Sequence, residues 1–110
     1  MGYTTRVNFE TLRSVNSTAF NGTYQTIGGP LLNASYILKI VNNSNVLVTI
    51  SIDGVTDHDV APANSFLLYD EDKTKNYEGM PQGTQFFIKG SAGAGNSGLV
   101  YLVTQYLIVR

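Results

Sequence analysis

The stretch VLVTISIDGVTDHDV, Val46–Val60, carries the clearest local structure in the chain. Val46, Val48, Ile50 and Ile52 fall on one face of an extended segment, and Leu47, Thr49 and Ser51 on the other. That period of two marks a half-buried β-strand. Asp53-Gly54 follows, and glycine accepts the positive φ that tight hairpin turns demand. The stretch therefore predicts an antiparallel β-hairpin, for which two registers are open. A tight turn pairs Ile52 with Val55 and sets Asp57 and Asp59 opposite Ile50 and Val48, on the apolar face. A turn one residue longer, with Gly54 in a bulge, pairs Ser51 with Val55, sends both acids to the polar side and turns His58 inward. Segregation of apolar side chains favours the bulge, because a slip of one residue flips every side chain. Asp53, Gly54 and His58 are accordingly expected to be structural, with His58 partly buried and Asp57 and Asp59 facing solvent or a partner.

Outward from the hairpin, segments of similar character recur. SYILKIV, 35–41, reads as a central strand buried on both faces, and the Asn42-Asn43-Ser44-Asn45 cluster as the turn after it. Ala61–Asn64 ends the hairpin, and SFLLY, Ser65–Tyr69, is a further strand. A polar connection spans Asp70–Gly83, TQFFIK at Thr84–Lys89 is a strand, and GSAGAGNSG at Gly90–Gly98 a flexible loop. LVYLVTQYLIV, Leu99–Val109, is the longest apolar strand and is apolar on both faces, as suits a central strand or one that faces a partner. Residues 1–32 are weaker core material. Phe9, Leu12 and Val15 fit one helical face behind Asn8, but the Thr, Val and Ser of Thr11–Thr18 favour strands. This third reads either as an arm packing on a neighbouring subunit or as edge strands of the same domain, with 33–110 as the sandwich core. Strands about every 8–14 residues with turn signals between them predict an all-β fold, an antiparallel β-sandwich of jelly-roll or Ig-like kind.

Composition bounds the function. A chain of 110 residues makes one domain. It has no cysteine, which excludes disulfides, Cys-ligated zinc and thiol catalysis. Charged residues are only 14% and the net charge is −1, less than a monomeric surface usually carries. Weakly charged, Asn/Ser/Thr-rich surface suits burial against other subunits. The basic residues are scattered among acids, so nucleic-acid binding is disfavoured. No apolar run reaches the ~20 residues of a membrane span. MGYTTRVNFE lacks the apolar core of a signal peptide, and the Asn-x-Ser/Thr sequons follow from composition.

The candidate chemistries are thin. Gly93–Gly98 matches G-x-G-x-x-G, but a dinucleotide site needs a helix after it, and strand follows; the match predicts a hairpin loop in which Gly93 and Gly95 can touch a partner. Asp70–Asn76 places oxygen ligands at alternate positions like the start of a calcium loop, yet Lys75 and Pro81 stand where Gly and a bidentate Glu belong; a solvated turn is the simpler reading. His58 is the only histidine, with no further ligands for a metal and no nucleophile motif for a hydrolytic triad. No catalytic, metal or cofactor residues are predicted. Tyrosines and the Phe residues of the first third are interface material, which makes Phe9, Phe20, Tyr24, Tyr101 and Tyr106 candidate contacts. Exposed Tyr could instead stack on sugar rings, giving the alternative of a glycan-binding, host-attachment module.

Several pieces in order, Arg6-Val7-Asn8-Phe9, Ile40–Asn43, Val48–Gly54, Asp57-His58-Asp59, Ser65–Asp70 and Gly83–Gly90, resemble small virion structural proteins of tailed bacteriophages. The resemblance covers most of the chain. It implies a non-enzymatic β-sandwich that assembles in symmetric copies, as capsid decoration (cement) or as a neck or collar adaptor at the head–tail junction. It also implies self-association, contacts with capsid or portal proteins, and a place in the virion, assembled in the host cytoplasm.

Overall fold

Residues 5–35, 37–70 and 80–109 are described by a computed structural model of the chain. Nine strands are present among them: β1 (Thr5–Phe9), β2 (Arg13–Asn16), β3 (Gln25–Thr26), β4 (Ile37–Ser44), β5 (Val48–Ser51), β6 (Asp59–Ala61), β7 (Ser65–Asp70), β8 (Phe87–Lys89) and β9 (Gly98–Val109). They form two antiparallel sheets packed as an all-β sandwich. In the first, β9 is central, with β1 and β2 in succession along one edge, β4 along the other and β7 beyond it. The second runs β3-β8-β5-β6. The long apolar β9 takes the central place that its lack of charge allows. Between the sheets lie Leu38, Ile40, Val100 and Leu102 from the first and Val48, Ile50, Ala61 and Ile88 from the second. Phe20, Ile27 and Leu31 complete this core, so the opening third contributes more of the interior than its composition predicts. β4 alternates between half-buried and buried positions rather than being buried on both faces, because only one of its faces meets the second sheet. Beyond Gln105, β9 pairs among the described strands with β1 alone, in a two-stranded ribbon from Thr5↔Val109 to Phe9↔Gln105. The molecule measures 58 × 24 × 21 Å.

Asn42 and Ser44, expected in a turn, lie inside β4, and Asn42 is fully buried. Its amide donates to the carbonyls of Val46 (2.8 Å), Ala61 (3.0 Å) and Pro62 (3.1 Å). Its Oδ1 accepts from the backbone N–H and the hydroxyl of Ser44, at 3.2 and 2.5 Å. One side chain of the first sheet thus holds both ends of the β5–β6 hairpin of the second. Asparagine's poor strand propensity is overridden because its polar atoms find partners inside.

The hairpin has neither expected register. Ile50 pairs with Asp59 and Val48 with Ala61, and the connection runs from Ile52 to His58. Side chains, not a tight turn, shape it. Asp53 Oδ1 accepts from the backbone N–H groups of Val55 and Thr56 and from the Ser51 hydroxyl, and Ser51 Oγ accepts from the N–H of Gly54. These donors hold the Asp53 carboxyl well below the usual carboxylate range. Gly54 has φ +78°, as a turn glycine should. His58 is exposed rather than partly buried; its Nδ1 accepts from the Ile52 N–H at 3.1 Å. Asp59, expected to face solvent or a partner, is half-buried opposite Ile50 and accepts from the Tyr69 hydroxyl at 2.6 Å.

A bulge separates β1 from β2. Phe9 pairs with Gln105 and Arg13 with Leu102, so one extra residue on this edge flips the side-chain alternation. Phe9 therefore points out and Arg13 points in. Arg13 donates to Glu10 Oε1 (2.8 Å) and to the carbonyls of Gly29 (2.9 Å) and Pro30 (2.9 Å). Glu10 in turn accepts from the N–H groups of Leu32 and Asn33. The pair ties the Gly28–Asn33 loop onto the first sheet. Burial opposes ionisation of Glu10, but the guanidinium and these N–H donors outweigh it and hold the carboxyl below its ordinary value of 4.5.

Asn42→Ala leaves buried carbonyls and Ser44 without their partner and should cost about 3 kcal/mol in urea unfolding, since each orphaned group costs about 1–3 kcal/mol. Because the folded-state pKa of Glu10 lies below its unfolded value, its contribution is fully present above pH 4.5 and is lost as pH falls below it. Thermal melts of Glu10→Gln are expected to show a lower Tm at pH 7 and a shallower loss of Tm on acidification than the parent chain.

Candidate functional site

In the first sheet the residues paired with buried positions define an inner face, and those between them an outer one. Cross-strand rows on the outer face are Tyr101–Val41–Phe66 and Val103–Lys39–Leu68, with Gln105–Ile37 beside them. Phe9 extends the Gln105 row onto β1, and Val7 follows at the position paired with Leu107. Phe66 is 63% exposed, Leu68 55%, Phe9 58% and Val7 52%. Tyr101, Val103, Val41 and Ile37 are half-buried. Lys39 and, by register position, Asp70 are the charged residues of these rows. An outward sheet face normally alternates to polar residues. Here apolar residues recur on four strands of this face, β7, β4, β9 and β1, with Lys39 and Gln105 between them, and exposed apolar clusters of this kind mark interaction sites.

The expected contact residues are dispersed by the fold. Phe9 and Tyr101 lie on this face. Phe20 does not qualify as a contact: it is 4% exposed and packs in the core against Gly90. Tyr24 lies near β8 of the second sheet, where its hydroxyl donates to Asp57. Tyr106 is half-buried and pairs with Asn8 on the opposite alternation from Gln105. Gly93 and Gly95 are exposed. Sequence reasoning missed Phe66, Leu68, Val41 and Val7. The signal was available in SFLLY, which is apolar at every position after its Ser although one face of an edge strand is open to water.

The remaining polar groups satisfy one another. Lys89 sits 3.0 Å from Asp57 and 4.6 Å from the centroid of the Tyr24 ring. The Tyr24 hydroxyl and Lys89 lower the pKa of Asp57, while burial and the Asp57 carboxylate push Tyr24 up to about 12. Burial and Asp59 likewise raise the Tyr69 phenol. A cleft of ≈ 220 Å³ lined by Ile50, Ile52, His58, Asp59, Tyr69, Met80 and Phe86 is mostly apolar, and its Tyr69 and Asp59 bond to each other. The Gly90–Gly98 loop, read as flexible, is pinned by asparagines. Asn45 donates to Gly95 O and accepts from Ser97 N–H, and Asn96 donates to Ser17 O and Ser91 O. Its last glycine, Gly98, has φ +94°, and a Cβ there would meet the Asn43 carbonyl at 2.1 Å. That glycine serves β4–β9 pairing and opens a strand, not a phosphate-binding helix. Most of the Asp70–Asn76 calcium-like stretch lies outside the described residues. Among the described residues no group of His, Cys, Asp and Glu could hold a metal ion, and no helix is long and apolar enough to cross a membrane.

Fold and surface together define an antiparallel β-sandwich with large apolar residues exposed on the outer face of one sheet. No protein-family model, curated protein or solved structure matches the chain.

The two aromatic positions of β7 should respond oppositely to substitution. Phe66→Lys is expected to leave the unfolding free energy within about 0.5 kcal/mol, as for an exposed site. Tyr69→Phe, which strips the inner hydroxyl from Asp59, should cost about 1 kcal/mol. Urea denaturation followed by far-UV circular dichroism measures both.

Proposed function

We propose that this chain is a non-enzymatic structural subunit of a phage-type virion, a capsid decoration protein or neck/collar adaptor, acting through symmetric protein–protein contacts. The observation that carries the reading is the outer face of the first sheet, where Phe66, Leu68, Phe9 and Val7 stand in water beside Val41, Val103 and Tyr101. Burying such surface is favourable by about 25 cal/mol per Å² before the costs of association. Repeated weak contacts on a symmetric lattice add through effective concentration. The resemblance in sequence to small virion proteins points the same way, as does the low charge of the whole chain. Polar side chains in this molecule serve mainly to hold loops: Asn42, Asn45, Asn96, Asp53 and the Arg13–Glu10 pair each bind backbone groups.

Carbene footprinting of the free chain, and of the chain in particles purified from cells that produce it, tests this reading. Phe66, Leu68 and Val41 are expected to lose label on assembly. If the chain is absent from every particle fraction, or if it binds a glycan on an array while those positions label unchanged, the structural reading falls and the sugar-binding one replaces it.

A further inference from the structure

We propose that Asn21 is a self-modification site, where the chain deamidates by attack of its own backbone with water as the only co-reactant. The Gly22 nitrogen bonds to Cγ of Asn21, the Cγ–Nδ2 bond breaks, and the Gly22 proton leaves with Nδ2 as ammonia. Water then opens the resulting succinimide at either carbonyl, which leaves aspartate or isoaspartate at position 21.

Part of the case lies in the residue types. Asn21-Gly22 is the one Asn-Gly step in the chain, whereas Asn16, Asn43, Asn64 and Asn96 are each followed by serine. Glycine has no Cβ to obstruct the approach of its nitrogen to the preceding side chain. The fold adds the rest. Asn21, Gly22 and Thr23 are exposed, and Gly22 has φ +85° with nothing near the place a Cβ would occupy. Oδ1 of Asn21 accepts from the Thr23 N–H at 3.0 Å and from the Thr23 hydroxyl at 2.6 Å. Two donors on this oxygen withdraw electrons from Cγ. They stay aimed at the oxygen when attack turns it into an oxyanion.

The other candidates lack part of this arrangement. Asn16 has the equivalent bonds from Thr18, but the nitrogen that would attack belongs to Ser17, buried in a 3₁₀ turn. Ser44, after Asn43, is buried and gives its N–H to Asn42. Ser97, after Asn96, gives its N–H to Asn45, and the Asn96 amide nitrogen is tied to the carbonyls of Ser17 and Ser91. Ser65, after Asn64, is paired in β7 with Asn42.

One bond restrains Asn21. The Gly22 N–H donates to the Gly90 carbonyl at 2.9 Å, so ring closure waits for that bond to open. Gly90 packs against the core residue Phe20, which couples the restraint to the interior. Isoaspartate carries an additional carbon in the main chain at position 21 and would carry Gly22 away from Gly90.

Peptide mapping by mass spectrometry, after incubation of the folded full chain in mildly alkaline buffer, tests the assignment. Deamidated products, isoaspartate among them, are expected at Asn21 before Asn16, Asn43, Asn64 or Asn96. Thr23→Val removes the hydroxyl donor and should slow the Asn21 reaction about fivefold, the rate equivalent of one hydrogen bond of about 1 kcal/mol. Thr23→Ser keeps the hydroxyl and should react at close to the parent rate. Thr18→Val, at the equivalent position beside Asn16, should leave Asn21 unaffected. Far-UV circular dichroism checks that each variant is folded. Deamidation no faster at Asn21 than at the Asn-Ser steps overturns the assignment. So does an Asn21 rate that Thr23→Val and Thr23→Ser leave equal, because the fold would then contribute nothing to the reaction.

Discussion

The interior of this sandwich is organised around a single buried amide. Asn42 stands on the inner face of β4, opposite Val100 and Ser65, and reaches across to the carbonyls at both ends of the β5–β6 hairpin. Apolar contact between two sheets tolerates sliding, because dispersion and the hydrophobic effect have no direction. A hydrogen-bonded amide does not, since a shift of a few ångströms would leave several buried polar groups without partners. Asn42 therefore sets the position of the second sheet on the first, and the Val48, Ile50 and Ala61 side chains fill the space that this position defines.

The same logic extends to the edge of the sheet. The bulge between Phe9 and Arg13 reverses the alternation at one step. Arg13 then points inward, where Glu10 and the carbonyls of Gly29 and Pro30 surround its guanidinium. A buried charge without such partners would be costly; here the pair closes the loop that brings Ile27 and Leu31 into the core. Phe9 is left outside by the same step. One backbone irregularity thus both seals the interior and adds an aromatic ring to the outer surface.

The surface itself divides by sheet. Around the second sheet, polar side chains bind each other, as in the Tyr24–Asp57–Lys89 cluster, and the connecting loops are held by Asn and Asp. On the first sheet the outer rows mix large apolar residues with Lys39 and Gln105. Phe66 and Leu68 are large, apolar and exposed, and the subunit contact proposed above accounts for them. Such a contact would call for an apolar face and a rigid scaffold behind it, and the inner layer anchored by Asn42 is such a scaffold.

Much of the strand layout could be read from the sequence. The period of two in Val46–Ser51, the unbroken apolar run of Leu99–Val109 and the Gly- and Asn-rich breaks between segments located most strands and established an all-β sandwich. Local chemistry of this kind is legible because alternation and turn propensity act over a few residues. Which face of each strand would be inside was not legible where pairing partners lie far apart in the chain. The Asp53-Gly54 turn signal was real, but Ser51 and Asp53 capture the loop N–H groups and lengthen the connection, so Asp59 turned inward and His58 outward. Asn42 looked like a turn residue because its burial depends on carbonyls that only the second sheet brings to it. Phe20 looked like contact material and became core for the same reason. That these segments are strands, and that they pack as two layers, is written in their local alternation and turn residues. Which apolar residues the second layer covers, and which it leaves facing outward, follows only from how the two sheets meet, because one sheet can bury only one face against the other.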